Sequence, residues 1–202
     1  GVSCDGPTES FTITVNPTAQ VDITADQVVC DLNTTSVLFT TENTVGVTAY
    51  AWTSDIEIGA GLTGAGDMSF TAANEGTDPL VATIIVTPTF TNEGVSCDGP
   101  TESFTITVNP SAQVELPTDI ILCHGDLNAT ILLTSENING ASNFIWANDT
   151  PSIGLVASGS GDIAAFTAIN SSTEPISATI SITPIFTNSG ISCTGNEVSF
   201  TI

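Results

Sequence analysis

The sequence predicts an all-β protein made of tandem antiparallel β-sandwiches, and three observations predict it. A long unit recurs along the chain at offsets of 93 and 96 residues, the size of a small domain rather than of a solenoid repeat. Short segments rich in Val, Ile and Thr alternate apolar and polar residues with period two, the mark of half-buried strands. No segment sustains a 3.6-residue apolar period, and Lys and Arg, both good surface helix formers, are absent.

The repeat is explicit. Residues 1–21 read GVSCDGPTESFTITVNPTAQV and residues 94–114 read GVSCDGPTESFTITVNPSAQV, differing only at Thr18 against Ser111. A degenerate third copy, GISCTGNEVSFTI, begins at Gly190. Trp52 aligns with Trp146, Asp67 with Asp162, Phe70 with Phe166, and Pro79 and Pro88 with Pro175 and Pro184. The Phe-Thr-Asn of 90–92 aligns with that of 186–188.

Phe11, Ile13 and Val15 alternate with Thr12 and Thr14, which predicts a strand there and at the identical Phe104–Val108. Further strands are expected around Val21–Ile23, Val37–Thr40, Ala49–Thr53, Ser69–Ala72, Ala82–Pro88 and Ala178–Pro184, separated by Gly, Asn, Asp or Pro. About seven short strands per unit fit an antiparallel sandwich. Pro17 and Pro110 mark the junctions. Residues 1–17 read as the C-terminal strand region of a preceding repeat, 18–110 as one sandwich, and 111–202 as a second that is truncated at its last strand. The sequence stops at Phe200-Thr201-Ile202, inside a strand pattern, so the expectation is a window of a longer tandem array. Proline at each short junction favours an extended link and a semi-rigid rod.

Twenty-two Asp and Glu, no Lys or Arg and a single His give a formal net charge of −22. Nothing can neutralise phosphates, which excludes nucleic acid and anionic lipid as partners. The clamps that enzymes use for phosphate and carboxylate substrates are missing as well. No apolar run approaches the length of a membrane-spanning helix, so direct membrane insertion is not expected.

Five cysteines occur, at 4, 30, 97, 123 and 193, without CxxC or Cys/His spacing. Two registers that respect the repeat are weighed. One pairs Cys30 with Cys97 and Cys123 with Cys193, leaving Cys4 for an upstream repeat. The other pairs Cys4 with Cys30 and Cys97 with Cys123. The first is favoured, because a strand, a proline link and another strand carry the chain away between Cys4 and Cys30. Disulfides would imply an oxidising, extracellular setting.

Trp52 and Trp146 lie in apolar strand patterns and are read as core residues, with ligand stacking as the sharper alternative. Asp67 and Asp162 close Gly-rich runs, and Asp55 and Asp149 follow the two Trp residues. Carboxylates in a lysine-free chain make these four candidate calcium ligands, although the spacing matches no calcium loop and Gly-Asp is also ordinary turn chemistry. No other cofactor is expected. His124 has no counterpart in the first repeat and reads as an exposed loop residue. Asn33, Asn128, Asn148 and Asn170 begin glycosylation sequons.

The early Cys, the stretch WANDTPSIGL at 146–155, GSGDI at 159–163, Phe166-Thr-Ala-Ile-Asn, Ala178-Thr-Ile-Ser-Ile-Thr-Pro, Cys193 and the FTITVNP ending together resemble the PKD-like, immunoglobulin-like tandem repeats of giant secreted surface proteins of Bacteroidota, including gliding-type adhesins. The first unit departs from this with Thr53-Ser-Asp-Ile-Glu-Ile-Gly. The resemblance implies immunoglobulin-like sandwiches, a cell-surface location, export by type IX secretion, a stalk or filament role and no catalytic residues. The function expected is therefore a structural repeat segment of a long extracellular filament or adhesin stalk, with neighbouring repeats or subunits as partners and an unspecified adhesion ligand. The alternatives are a pilin-like subunit polymerising by donor-strand exchange of its N-terminal strand, and a carbohydrate-binding module.

Overall fold

The structure is a computed structural model and describes residues 1–22 and 24–202. Eight strands form the first half: β1 (Gln27–Cys30), β2 (Thr34–Val37), β3 (Val47–Ser54), β4 (Thr63–Ala65), β5 (Met68–Thr71), β6 (Leu80–Asn92), β7 (Val95–Asp98) and β8 (Glu102–Asn109). Seven form the second: β9 (Leu127–Asn128), β10 (Ala141–Asn148), β11 (Ser158–Ser160), β12 (Phe166–Thr167), β13 (Thr179–Asn188), β14 (Ile191–Thr194) and β15 (Val198–Thr201). The described residues contain no α-helix, only a short 3-10 turn at Pro151–Ile153.

Each half is a sandwich. In the first, a sheet in the order β1-β8-β6-β3-β4, with β7 also on β6, packs against the pair β2–β5. Trp52, Ile84, Val86, Phe104, Ile106 and Val108 come from the large sheet and meet Val37, Met68 and Phe70 from the small one. The second half repeats the plan, with β11-β10-β13-β14 and β15 in one sheet and β9–β12 in the other. Its core holds Phe144, Trp146, Ile180, Ile182 and Phe200 against Leu133, Ile163 and Phe166. The two cores share no residue, one drawing on positions 21–108 and the other on 114–202.

Period-two patterning explains the central strands. Along β6, Ala82, Ile84, Val86, Pro88 and Phe90 point inward and are buried, as Ile180, Ile182, Pro184 and Phe186 are along β13. Both prolines lie in central strands, where a missing N–H would ordinarily break the ladder. Here they mark a change of partner. β6 pairs with β8 through residues 80–86 and with β7 through 89–92, while β13 pairs with β15 through 179–182 and with β14 through 185–188. The proline carbonyls stay in use, accepting from the N–H of Gly99 and Gly195.

Two expectations need correction. Phe11–Val15 is not a strand: residues 1–22 carry no regular structure, and Phe11, Ile13 and Val15 are 86%, 78% and 86% exposed. The same sequence at 104–108 is buried because β6 and β1 flank it there. The sheet is also not wholly antiparallel, since β1 runs parallel to β8 with Gln27 opposite Ile106 and Cys30 opposite Asn109. Of the segment expected around Val21–Ile23, Ile23 lies outside the described residues and Val21 is not in a strand.

The parallel pair has a geometric consequence. The first and last strands run in one direction, so the chain enters a sandwich at one pole and leaves it at the other. Ala19 sits at the entry pole, where a Cβ on Gly99 would come within 2.0 Å of its carbonyl oxygen. Ala112 and Gly195 repeat that close approach in the second sandwich, at 1.8 Å. Asn109 leaves at the opposite pole, beside Cys30.

Candidate functional site: the junction between sandwiches

The junction is built from the exit pole of the first sandwich and the entry pole of the second. On the first side are the end of β1, the end of β8 and the loop before β6. On the second are the β13–β14 hairpin and the loop before β10. The hairpin turns through Ser189 and Gly190 at φ 50° and 78°, and its counterpart between β6 and β7 turns through Glu93 and Gly94 at 48° and 81°. Positive φ at both central residues matches the right-handed twist of a tight hairpin, which Gly supplies at the second position.

Three sets of bonds close the junction. Cys30, the last residue of β1, is disulfide-bonded to Cys193 on β14, with Cα atoms 5.5 Å apart. Asn109 is fully buried, and its amide exchanges bonds with Asn188 at the hairpin tip: Asn188 Nδ2 donates to Asn109 Oδ1 at 2.9 Å, and Asn109 Nδ2 donates to the Asn188 carbonyl at 3.2 Å. Ser111 Oγ donates to Asp31 Oδ2 at 2.9 Å, while Asp31 Oδ1 accepts from the Asn74 N–H. A fourth set of bonds comes from the loop before β10. The Ile138 N–H donates to the Thr77 carbonyl at 3.0 Å, and Asn139 Nδ2 donates to Asp78 Oδ1 at 2.8 Å. Bonds through two separate loops of the second sandwich restrain bending more than one pivot would.

The disulfide corrects the expected pairing. Cys30 stands level with Asn109 and hence with the Leu80 end of β6, whereas Cys97 faces Phe90 near the other end. Ten residues of strand separate the two levels, about 33 Å at ~3.3 Å per residue, while a disulfide needs Cα atoms within about 7 Å. Cys123 and Cys193 are likewise kept apart. Cys193 faces Phe186, and Cys123 lies three residues beyond Ile120, whose N–H bonds Thr201 opposite Thr179. The pairing that forms equally respects the repeat, joining the early cysteine of one unit to the late cysteine of the next. Cys4, Cys97 and Cys123 are free.

The entry pole of the first sandwich carries the same amide pair. Asn92 Nδ2 donates to Asn16 Oδ1 at 2.9 Å and Asn16 Nδ2 donates to the Asn92 carbonyl at 3.4 Å. Asn16 is the counterpart of Asn109 and Asn92 that of Asn188. The segment before Pro17 is thus seated on the first sandwich as the end of β8 is seated on the second.

The other singled-out residues serve the scaffold. Trp52 and Trp146 are buried in the two cores, each facing a glycine across the ladder, Gly64 and Gly159. A Cβ there would lie 2.1 Å and 2.3 Å from the indole rings. Neither indole N–H has a hydrogen-bond partner among the described residues. Asp67 and Asp162 accept the N–H of Phe39 and Leu133 at 2.9 Å, tying the turn before β5 and its counterpart to the segment that continues the neighbouring strand or bridge of the same sheet. Asp55 and Asp149 accept from Thr83 and Thr179 at 2.7 and 2.8 Å. No group of three or more metal-ligating side chains converges among the described residues. His124 is exposed, and its Nδ1 accepts the Asn170 N–H at 3.1 Å, the task that Asp31 performs for Asn74. Asn148, in one of the sequons, is buried with its amide bonded to the Leu155 carbonyl.

Sequence reasoning missed Asn109, Asn188, Asp26 and Asp119. The Val-Asn-Pro and Phe-Thr-Asn repeats carried the first two, but only the junction shows that they meet. Asp26 and Asp119 accept the N–H of Thr105 and Thr201, and that main-chain bond holds each carboxyl below the ordinary carboxylate range. A groove of about 450 Å³ lies beside Ile120, Leu122, Phe166, Ile176 and Ile202. It corresponds to the place that Val108 fills in the first sandwich, where β8 continues past the counterpart of Ile202. No helix among the described residues is long and apolar enough to cross a membrane. No family model and no curated protein matches the chain.

Proposed function

We propose that the chain is a structural repeat segment of a long extracellular filament or cell-surface adhesin stalk, in which PKD-like, immunoglobulin-like sandwiches supply length and rigidity. The observation that carries this reading is the closed junction. Entry and exit at opposite poles extend the chain in one direction, and a disulfide with a buried amide pair fixes one sandwich on the next. Disulfide bonding suits an oxidising compartment outside the cell, and the uniform negative charge suits a surface that repels its neighbours. The resemblance to Bacteroidota repeats extends the proposal to gliding-type adhesins and type IX export. Neighbouring repeats of the same filament are the partners proposed.

A donor-strand pilin is the second reading, favoured by the exposed apolar arm Phe11–Val15, which has the sequence of β8. A carbohydrate platform has less support, because both Trp residues are buried. Denaturing, reducing electrophoresis of surface extracts from the source cells, probed with antibody to this chain, separates the two main readings. The stalk requires a band far larger than 20.6 kDa that external protease removes from intact cells. A band near 20.6 kDa, or one protected inside the cells, would sink it.

A further inference from the structure

We propose that Cys97 and Cys123 are each one half of a further junction of the kind that Cys30 and Cys193 close: Cys123 bonds the late cysteine of a following sandwich of this repeat, and Cys97 the early cysteine of a preceding one. The inference rests on the repeat-array reading above and gives each module its chemical partner, another copy of itself.

Three observations carry it. Cys97 and Cys193 are counterparts in sequence and in place, on the second strand of the entry-pole hairpin and opposite Phe90 and Phe186 respectively. One is bonded across a junction and the other is a free, half-exposed thiol. Cys123 is likewise the counterpart of Cys30 and is exposed. Beside Cys97 the joint is already half assembled, since Asn16 and Asn92 repeat the reciprocal amide pair of Asn109 and Asn188. Beside Cys123, His124 takes over the main-chain bond of Asp31, so that the exit pole keeps its shape despite the substitution. Neither cysteine can be satisfied inside its own sandwich, because the early and late positions lie at opposite poles.

Each new bond removes two protons and two electrons from a pair of thiols. Glutathione disulfide can take them up. One thiolate attacks it to form a mixed disulfide and release a glutathione thiolate, and the second thiolate displaces the other glutathione, leaving two reduced glutathiones per protein disulfide.

The test lengthens the 202-residue chain with Thr-Val-Asn-Pro and a second copy of residues 111–202, then folds it with glutathione disulfide. The chain has no Lys or Arg for trypsin, so a protease cutting at acidic residues, after alkylation of free thiols, gives the non-reducing peptide map. The expected map links Cys123 to the added counterpart of Cys193 and keeps the Cys30–Cys193 link. Cys4, Cys97 and the added early cysteine are then found alkylated. Cys123→Ser in the lengthened chain should free the added late cysteine alone. Replacing residues 1–17 with a copy of residues 18–110 should, in the same way, link Cys97 to the added early cysteine. The proposal is overturned if Cys123 is alkylated, or is joined to Cys193 of its own sandwich, while Cys30–Cys193 forms elsewhere in the sample. Loss of Cys30–Cys193 as well would overturn the array reading beneath it, which keeps the two failures distinct.

Discussion

Gly159 and Gly64 are small because Trp146 and Trp52 lie across them. A methyl group at Gly159 would stand 2.3 Å from the indole, well inside van der Waals contact. Gly159→Ala should therefore destabilise the second sandwich by about 1–3 kcal/mol, the usual cost of overpacking a dense core; urea unfolding followed by tryptophan fluorescence measures it, and an unchanged midpoint would contradict the packing. The exposed Asp26 and Asp119 work by hydrogen bonds rather than burial. Because accepting a main-chain N–H lowers the folded pKa below that of the unfolded chain, the stability each contributes is present above the ordinary carboxylate range and lost as pH falls through the lowered value. Asp26→Ala should thus cost stability at pH 7 and progressively less below the carboxylate range, as denaturant midpoints at several pH values would show. Equal cost at every pH would contradict it. The sequence marks both Trp residues as core through their apolar strand neighbours. The aspartates' roles are hidden, since a carboxylate before a strand looks the same whether it binds an ion, a backbone N–H or water.

At the level of elements, the two copies of FTITVN are the clearest lesson. One is the central strand β8 and the other an exposed arm, so period-two patterning reports what a segment can bury and not whether a partner is present. Local signals found several of the longer strands for the same reason that they failed at Phe11–Val15. β3, β5, β6, β8 and β13 have their neighbours within the chain. The parallel pairing of β1 with β8 left no local mark, and with it the poles of the sandwich, and hence the disulfide register, were out of reach. Along the junction, Asn109→Ala would strand the amide of Asn188 against a buried surface, a cost of about 1–3 kcal/mol that thermal unfolding of the two-sandwich chain should register. Cys30→Ser removes a crosslink between residues 163 apart. On the chain-entropy model that is worth about 5 kcal/mol. Reductant should lower the unfolding midpoint of the native chain toward that of the variant and leave the variant unmoved.

The whole molecule carries 22 negative charges with no Lys or Arg to offset them. Self-repulsion acts within each sandwich and across the joint, and salt shortens its reach to about 10 Å at 0.1 M. Melting temperature should rise between 0.01 and 0.15 M sodium chloride, and a fall would contradict an account in which like charges are the main electrostatic term. Against that repulsion the two sandwiches are held in line by one covalent bond and a few buried or paired polar groups, a division of labour suited to a rod. The most direct measurement is a non-reducing peptide map of the oxidised 202-residue chain. The account predicts one crosslinked peptide pair containing Cys30 and Cys193, with Cys4, Cys97 and Cys123 alkylated; crosslinks within single sandwiches, Cys30 to Cys97 or Cys123 to Cys193, would contradict it.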